Sequence, residues 1–155
     1  MDNHTEHLVI SLGGIGSFDG GAGMLQALGA TFYDDEAQIV DMRKGAYLIK
    51  YIRRIDLSGV HPQLTKVNIQ LMSDFSSRLY GKKSEIMQTY ESLDLSQNEA
   101  AEIDNLIWYF SELFKNELKI AMGPIERGGA GGGIAAVLNS LYQACLLYTS
   151  PSPRD

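Results

Sequence analysis

The chain has 155 residues, 45% of them hydrophobic and 21% charged, which is enough for one domain with a buried core. Nineteen acidic residues against thirteen basic residues give a formal net charge of -6, and an acidic chain repels nucleic acid and anionic lipid. No apolar run approaches the roughly 18 residues that a membrane helix needs, and the N-terminal residues lack the pattern of a signal peptide. Cys145 is the only cysteine, so no intrachain disulfide can form. We therefore expect a cytoplasmic protein that binds neither nucleic acid nor membranes.

The first predicted elements are a strand, a glycine-rich bend and a helix. The apolar run over residues 8–12 predicts a buried strand, and Gly13-Gly14 ends it. Asp19 stands before a second group of glycines and can cap the helix predicted over residues 20–29. Gly29 can supply the left-handed residue that ends this helix.

The next segment predicts a hairpin and a helix. Residues 30–33 read as a strand, residues 34–36 as a turn, and residues 38–40 as the returning strand. Leu48, Tyr51, Ile52 and Ile55 then share one face of a predicted helix.

The alternation of apolar and polar residues over positions 67–71 predicts a half-exposed strand. Asp74 lies just beyond the carboxyl end of this strand. Ligands of α/β proteins gather at that end of the sheet, which favours a functional role for Asp74 over a purely structural one.

The clearest predicted helix begins at Ser96. Ser96 and Glu99 have the spacing of a capping box, and an apolar face follows over residues 103–114. A second glycine cluster, residues 128–133, precedes a last helix, whose apolar stripe we expect to bury Cys145. The alternation of strands and helices, with two glycine-rich loops preceding helices, predicts a mixed α/β fold.

A glycine-rich loop before a helix can present backbone N–H groups to an anion. Residues 13–23, the first glycine bend, and residues 128–133, the second glycine bend, both have this form. Neither bend matches G-x-x-x-x-G-K-[ST], and the match of the first bend to a dinucleotide-binding pattern is weak. Glycines also serve tight turns and close packing, so the composition alone leaves a purely structural role open.

Four segments in the same order resemble bacterial glycerate kinases. Residues 13–29, G-G-I-G-S-F-D-G-G-A-G-M-L-Q-A-L-G, are similar to the family signature G-G-S-A-T-N-D-G-G-A-G-M-L-Q-A-L-G. Residues 55–64 resemble I-D-L-S-G-L-D-P-R-L, residues 73–81 resemble C-D-V-x-N-P-L-x-G, and residues 129–133 resemble G-A-A-G-G. The order and approximate spacing agree over residues 8–146, which is far more specific than any single glycine motif.

This resemblance implies transfer of the γ-phosphoryl group of ATP to a hydroxyl of D-glycerate, usually with Mg²⁺. Asp19 and Asp74 would be the catalytic carboxylates, facing a metal or orienting the hydroxyl, although Asp19 can equally be a plain helix cap. We assign no residue as a direct metal ligand. The residues expected to bind substrate or phosphate are Gly13, Gly14, Ser17, Gly20, Gly21, Gly129, Gly131 and Gly132.

Several positions depart from the family pattern. Ile15 replaces a serine and Phe18 an asparagine, and residues 82–95 lack the expected G-P-Q-K-G run. Loss of polar groups weakens a phosphate site, so the alternative is a catalytically inactive relative that binds an anionic metabolite or a partner subunit. The resemblance also implies a longer two-domain kinase, of which residues 1–146 form part of one α/β domain. We expect residues 147–155 to be a disordered, non-native tail.

Overall fold

The computed structural model describes residues 4–12, 17–73 and 76–148. Its centre is a three-stranded parallel sheet in the order β1, β4, β5, formed by β1 (His7–Ser11), β4 (Asn68–Ser73) and β5 (Cys145–Tyr148). The helices are α1 (Ala22–Ala27), α2 (Glu85–Thr89), α3 (Gln97–Leu118) and α4 (Ile134–Tyr142). This arrangement confirms the predicted mixed α/β class.

Strand β4 is the central strand, and its alternating sequence buries one of its two faces. Ile69 and Leu71 are buried while Asn68 and Gln70 are exposed, as the period of two requires. His7 of β1 is paired with Asn68, and Gln70 is paired with Cys145 of β5. The predicted strand at residues 67–71 is therefore confirmed.

Helix α3 buries Ile107, Phe110 and Phe114 in the core. Ser96 Oγ accepts from the amide of Glu99 at 3.2 Å, and a Glu99 carboxylate oxygen accepts from the amide of Ser96 at 2.7 Å. The predicted capping box is thus confirmed. Phe110 is fully buried and makes edge-to-face ring contacts with Phe32 at 5.8 Å and Phe114 at 5.9 Å. These rings lie in the main core beside the buried residues of α1 and α4.

The predicted hairpin over residues 30–40 is only partly correct. After strand β2 (Thr31–Tyr33) the chain turns back and forms a single β-bridge between Tyr33 and Ile39. The strand that pairs with β2, in antiparallel orientation, is β3 (Arg54–Asp56). The amide of Val40 donates to the carbonyl of Phe32 at 2.9 Å, so the returning segment lies along β2 without forming a strand.

The helix predicted to carry Leu48, Tyr51, Ile52 and Ile55 on one face is wrong in type and extent. A 3₁₀ helix spans Ala46–Tyr51, and Ile55 lies in β3. The backbone of Ile52 is extended (φ -69°, ψ 129°) and ends the helix. The buried residues are Ile49, Ile52 and Ile55, because a 3₁₀ helix followed by a strand does not keep the 3.6-residue period.

The last helix ends earlier than the sequence suggested. Gln143 adopts a left-handed conformation (φ 53°) after α4, and Cys145 begins β5. The prediction of a buried Cys145 on the helical stripe is therefore wrong, because its side chain is exposed in the strand. Leu147 and Tyr148, which we assigned to the disordered tail, are paired with Met72 and Ser73. Residues 149–155 lie outside the described residues.

Candidate functional site at the carboxyl edge of the sheet

The candidate site lies where the central parallel strands end. The amide of Leu12 donates to the carbonyl of Met72 at 2.9 Å, so β1 and β4 end side by side. The second glycine bend reaches the same edge, since a Cβ added to Gly131 would lie 3.2 Å from a methyl group of Leu12. This is the position at which open α/β sheets bind ligands.

The two glycine bends pack directly against each other. The amide of Gly20 donates to the carbonyl of Gly132 at 2.8 Å. A Cβ on Gly132 would collide with the carbonyl of Ser17, and a Cβ on Gly133 would collide with the backbone of Gly20. Only glycine permits this approach. The structure therefore brings Ser17, Gly20 and Gly132 together, although their predicted role as ligand contacts stays a prediction.

Asp19 holds the first glycine bend. One of its carboxylate oxygens accepts from the amide of Gly21 at 3.0 Å and the other accepts from the amide of Gly23 at 2.9 Å. The N-cap residue of α1 is Gly21 and not Asp19, so the capping alternative is correct only in that the carboxylate of Asp19 holds the amide of Gly23 in the first turn. Because both oxygens accept internal hydrogen bonds, this carboxylate is already engaged, and its catalytic role stays a prediction.

Glu85 at the start of α2 occupies the amides of the second bend. Its carboxylate accepts from the amide of Gly132 at 3.1 Å and also from that of Gly131. Burial raises the pKa of Glu85 above its ordinary value, and the two amides partly offset this by lowering it. The sequence did not predict a role for Glu85. This residue lies 47 residues from Gly132 in the chain, and no local pattern in either segment indicates the contact.

The remaining predicted site glycines have structural partners or lie outside the described part of the chain. The amide of Gly129 donates to the carbonyl of Ser77 at 3.2 Å. In this structure the amides of the predicted glycines donate within the chain, and their role in binding substrate or phosphate stays a prediction; these are Gly20, Gly21, Gly129, Gly131 and Gly132. Gly13, Gly14 and Asp74 lie outside the described residues.

Beside the second bend lies a polar cavity of about 410 Å³, the basic pocket. Its lining residues are Ser76, Ser77, Arg78, Lys83, Pro124, Glu126 and Arg127. The turn that carries Arg78 and Lys83 is closed by a 2.9 Å hydrogen bond from the amide of Arg78 to the carbonyl of Lys83. The amide of Gly81 in the same turn donates to both carboxylate oxygens of Asp104, at 3.0 and 2.9 Å. Helix α3 thereby fixes one wall of the pocket.

Over residues 4–12, 17–73 and 76–148, no group of three or more His, Cys, Asp and Glu side chains is arranged to hold a metal ion. In the same part of the chain, no helix is both long and apolar enough to cross a membrane.

Comparisons with known proteins agree with one another. The sequence model of the glycerate kinase family matches residues 1–149. The glycerate kinase of Halalkalibacterium halodurans is 29% identical over 95% of this chain, and the glycerate 2-kinase of Escherichia coli is 28% identical over 93%. The solved structure of glycerate kinase 2 from Salmonella typhimurium LT2 superposes with a TM-score of 0.84 at 28% identity over 92% of this chain.

The fold and the position of the two bends define a mixed α/β protein with its candidate site at the carboxyl edge of a parallel sheet. The family model that matches residues 1–149 shows that the chain belongs to the glycerate kinase family. It spans 38% of the length of the Halalkalibacterium enzyme, 37% of the Escherichia enzyme and 38% of the Salmonella chain.

Proposed function

We propose that this chain belongs to a longer protein, and that this complete protein transfers the γ-phosphoryl group of ATP to a hydroxyl of D-glycerate, giving a phosphoglycerate. One observation carries the proposal. The match to the glycerate kinase family runs through both glycine bends, and these bends meet at the carboxyl edge of the sheet. We further propose that the protein acts in the cytoplasm.

In this proposal the glycines shape the site and do not themselves bind the phosphates. Gly132 and Gly20 allow the two bends to touch, and Asp19 holds the first bend through two amides. We therefore propose that Asp19 is a positioning residue. Asp74, which follows β4, is then the candidate for orienting the attacking hydroxyl and facing Mg²⁺.

Among the described residues no group of three or more His, Cys, Asp and Glu side chains is arranged to hold a metal ion, and the carboxylate of Asp19 already accepts two amide hydrogens. Magnesium in kinases is usually held by one or two carboxylates together with the phosphates of the substrate, so Asp74 and ATP would supply its ligands. When bound, Mg²⁺ neutralises charge on the transferring phosphoryl oxygens. The cationic side chains that line the basic pocket beside the second bend would suit the phosphates of ATP.

The test is the formation of phosphoglycerate by the complete gene product in the presence of ATP and D-glycerate, with L-glycerate and omission of ATP as controls. We expect one ADP for each phosphoglycerate. A folded protein that binds ATP or glycerate without forming any phosphoglycerate would instead support the inactive relative. One observation favours that second function: the carboxylate of Glu85 occupies amides that an active site would offer to an anion.

Two substitutions separate positioning from catalysis. Asp74→Asn is expected to lower kcat by roughly 10²–10⁴ with little change in melting temperature, as loss of a catalytic acid or base does. Asp19→Asn keeps one acceptor for the bend, so we expect a stability loss of about 1 kcal/mol and a smaller decrease in kcat. An equal and large loss of kcat in both variants, with stability unchanged, would restore Asp19 as a catalytic residue.

A further inference from the structure

We propose that the basic pocket beside the second glycine bend is a binding site for a phosphate-bearing anion. This inference rests on the proposed function only in identifying that anion with the phosphates of ATP. Binding of phosphate itself follows from the chemistry of the pocket.

The charge of the pocket selects an anion. Arg78, Lys83 and Arg127 line it against the single carboxylate of Glu126, although the chain as a whole is acidic, with a formal net charge of -6. A guanidinium can bind two phosphate oxygens at once, and a lysine binds phosphate as a point charge. Three cations within one cavity therefore favour a phosphate group over a carboxylate of single charge.

An unsatisfied hydroxyl in the lining gives independent support. Ser77 is 2% exposed, and its Oγ has no hydrogen-bond partner among the described residues. A buried hydroxyl without a partner costs free energy that a bound acceptor would recover. Because Ser77 lines the pocket, rotation of its hydroxyl toward a bound phosphate oxygen would supply such an acceptor.

The backbone around the pocket is held in place before any ligand binds. A Cβ on Gly129 would collide with the carbonyl of Arg78, so the turn and the second bend are in close contact. Arg127 has a left-handed backbone (φ 61°) at the point where the chain enters the second bend. The pocket volume of about 410 Å³ lies within the range of roughly 300–1,000 Å³ typical of small-molecule sites.

The test uses the 155-residue chain and two neighbouring lysines. Both lysines are exposed, but Lys83 lines the pocket and Lys82 does not, and conversion of either lysine to glutamine removes the same charge. With ATP and with inorganic phosphate as separate titrants in calorimetry at low salt, we expect Lys83→Gln to weaken binding about ten-fold. We expect Lys82→Gln to change it less than two-fold.

Ser77→Ala provides a second measurement that does not depend on charge. Without ligand we expect this variant to melt at a higher temperature than the wild type, because the buried hydroxyl is gone. The stabilisation by phosphate should decrease in the same variant. D-glycerate, as a third titrant, should bind equally to the wild type and to Lys83→Gln.

The proposal is overturned if the wild-type chain binds neither ATP nor phosphate, or if Lys83→Gln and Lys82→Gln bind both with equal affinity. Its failure is distinguishable from failure of the proposed function. If the Lys83→Gln variant of the complete gene product forms phosphoglycerate with an unchanged KM for ATP, the proposed phosphate site is refuted and the proposed kinase activity is supported. Phosphate binding that requires Lys83 in the 155-residue chain, with no phosphoglycerate formed by the complete gene product, would support the pocket and refute the kinase.

Discussion

At the scale of single residues, the glycines of the second bend allow another chain segment to lie where a side chain would otherwise be. Gly131, Gly132 and Gly133 all have positive φ, and the backbone of the first bend lies where the Cβ of Gly132 or Gly133 would be. The glycine-rich sequence that suggested anion-binding amides therefore reflects, in the described residues, close packing of two chain segments.

Gly132→Ala tests this packing against Gly81→Ala. Both glycines have positive φ, but a Cβ on Gly81 would meet nothing within 4 Å, whereas a Cβ on Gly132 would collide with the carbonyl of Ser17. The conformational cost of about 1–2 kcal/mol applies to both, and we expect Gly132→Ala to lose at least another 1–2 kcal/mol through the collision. Urea denaturation measures the difference. Equal losses would show that the two bends are not in contact.

The carboxylate of Glu85 makes stability depend on pH in a defined direction. Burial raises its pKa in the folded chain above the ordinary 4.5, so the folded state keeps this proton to a higher pH than the unfolded state. As pH rises above 4.5, this group therefore lowers the free energy of unfolding until its folded pKa is passed.

Glu85→Gln should remove that decrease, and the difference between wild type and variant should grow as pH rises above 4.5. Glu99 is a control of opposite sign, since hydrogen bonds from Ser96 lower its pKa and its contribution is lost as pH falls below 4.5. Urea denaturation from about pH 3 to pH 8 measures both. A Glu85→Gln curve parallel to that of the wild type would contradict the conclusion that burial of this carboxylate outweighs its hydrogen bonds from the amides of Gly131 and Gly132.

At the scale of elements, the sequence predicted those parts whose signals are local. The capping box of Ser96 and Glu99 and the alternation in β4 depend on neighbouring residues, and both were confirmed. Ile55 and Cys145 were misplaced because the strand partner of each lies elsewhere in the chain. An apolar spacing of three or four residues cannot distinguish a helix from a 3₁₀ helix followed by a paired strand.

The cap of α3 has a measurable contribution. Ser96→Ala removes the acceptor for the amide of Glu99 and should cost about 1 kcal/mol in the free energy of unfolding. Asn98→Ala, at an exposed position of the same first turn, should change stability by less than about 0.5 kcal/mol. If both variants melt like the wild type, the capping box does not contribute to the fold.

At the scale of the whole molecule, the resemblance in sequence predicted the family and the fold class correctly. Order and spacing of the glycerate kinase segments predicted the family, and the fold places both bends at one edge of the sheet. The contact of Glu85 with Gly132 and the pocket of Arg78, Lys83 and Arg127 could not be predicted, since they join side chains from segments far apart in the sequence.

The most direct test of the account is a crystal structure of the complete gene product with D-glycerate and a non-hydrolysable ATP analogue. We predict that the ligands lie at the carboxyl edge of β1 and β4, with phosphate oxygens within hydrogen-bond distance of Lys83 and of Ser77 Oγ. Ligands bound away from that edge, with the basic pocket holding only water, would contradict the account.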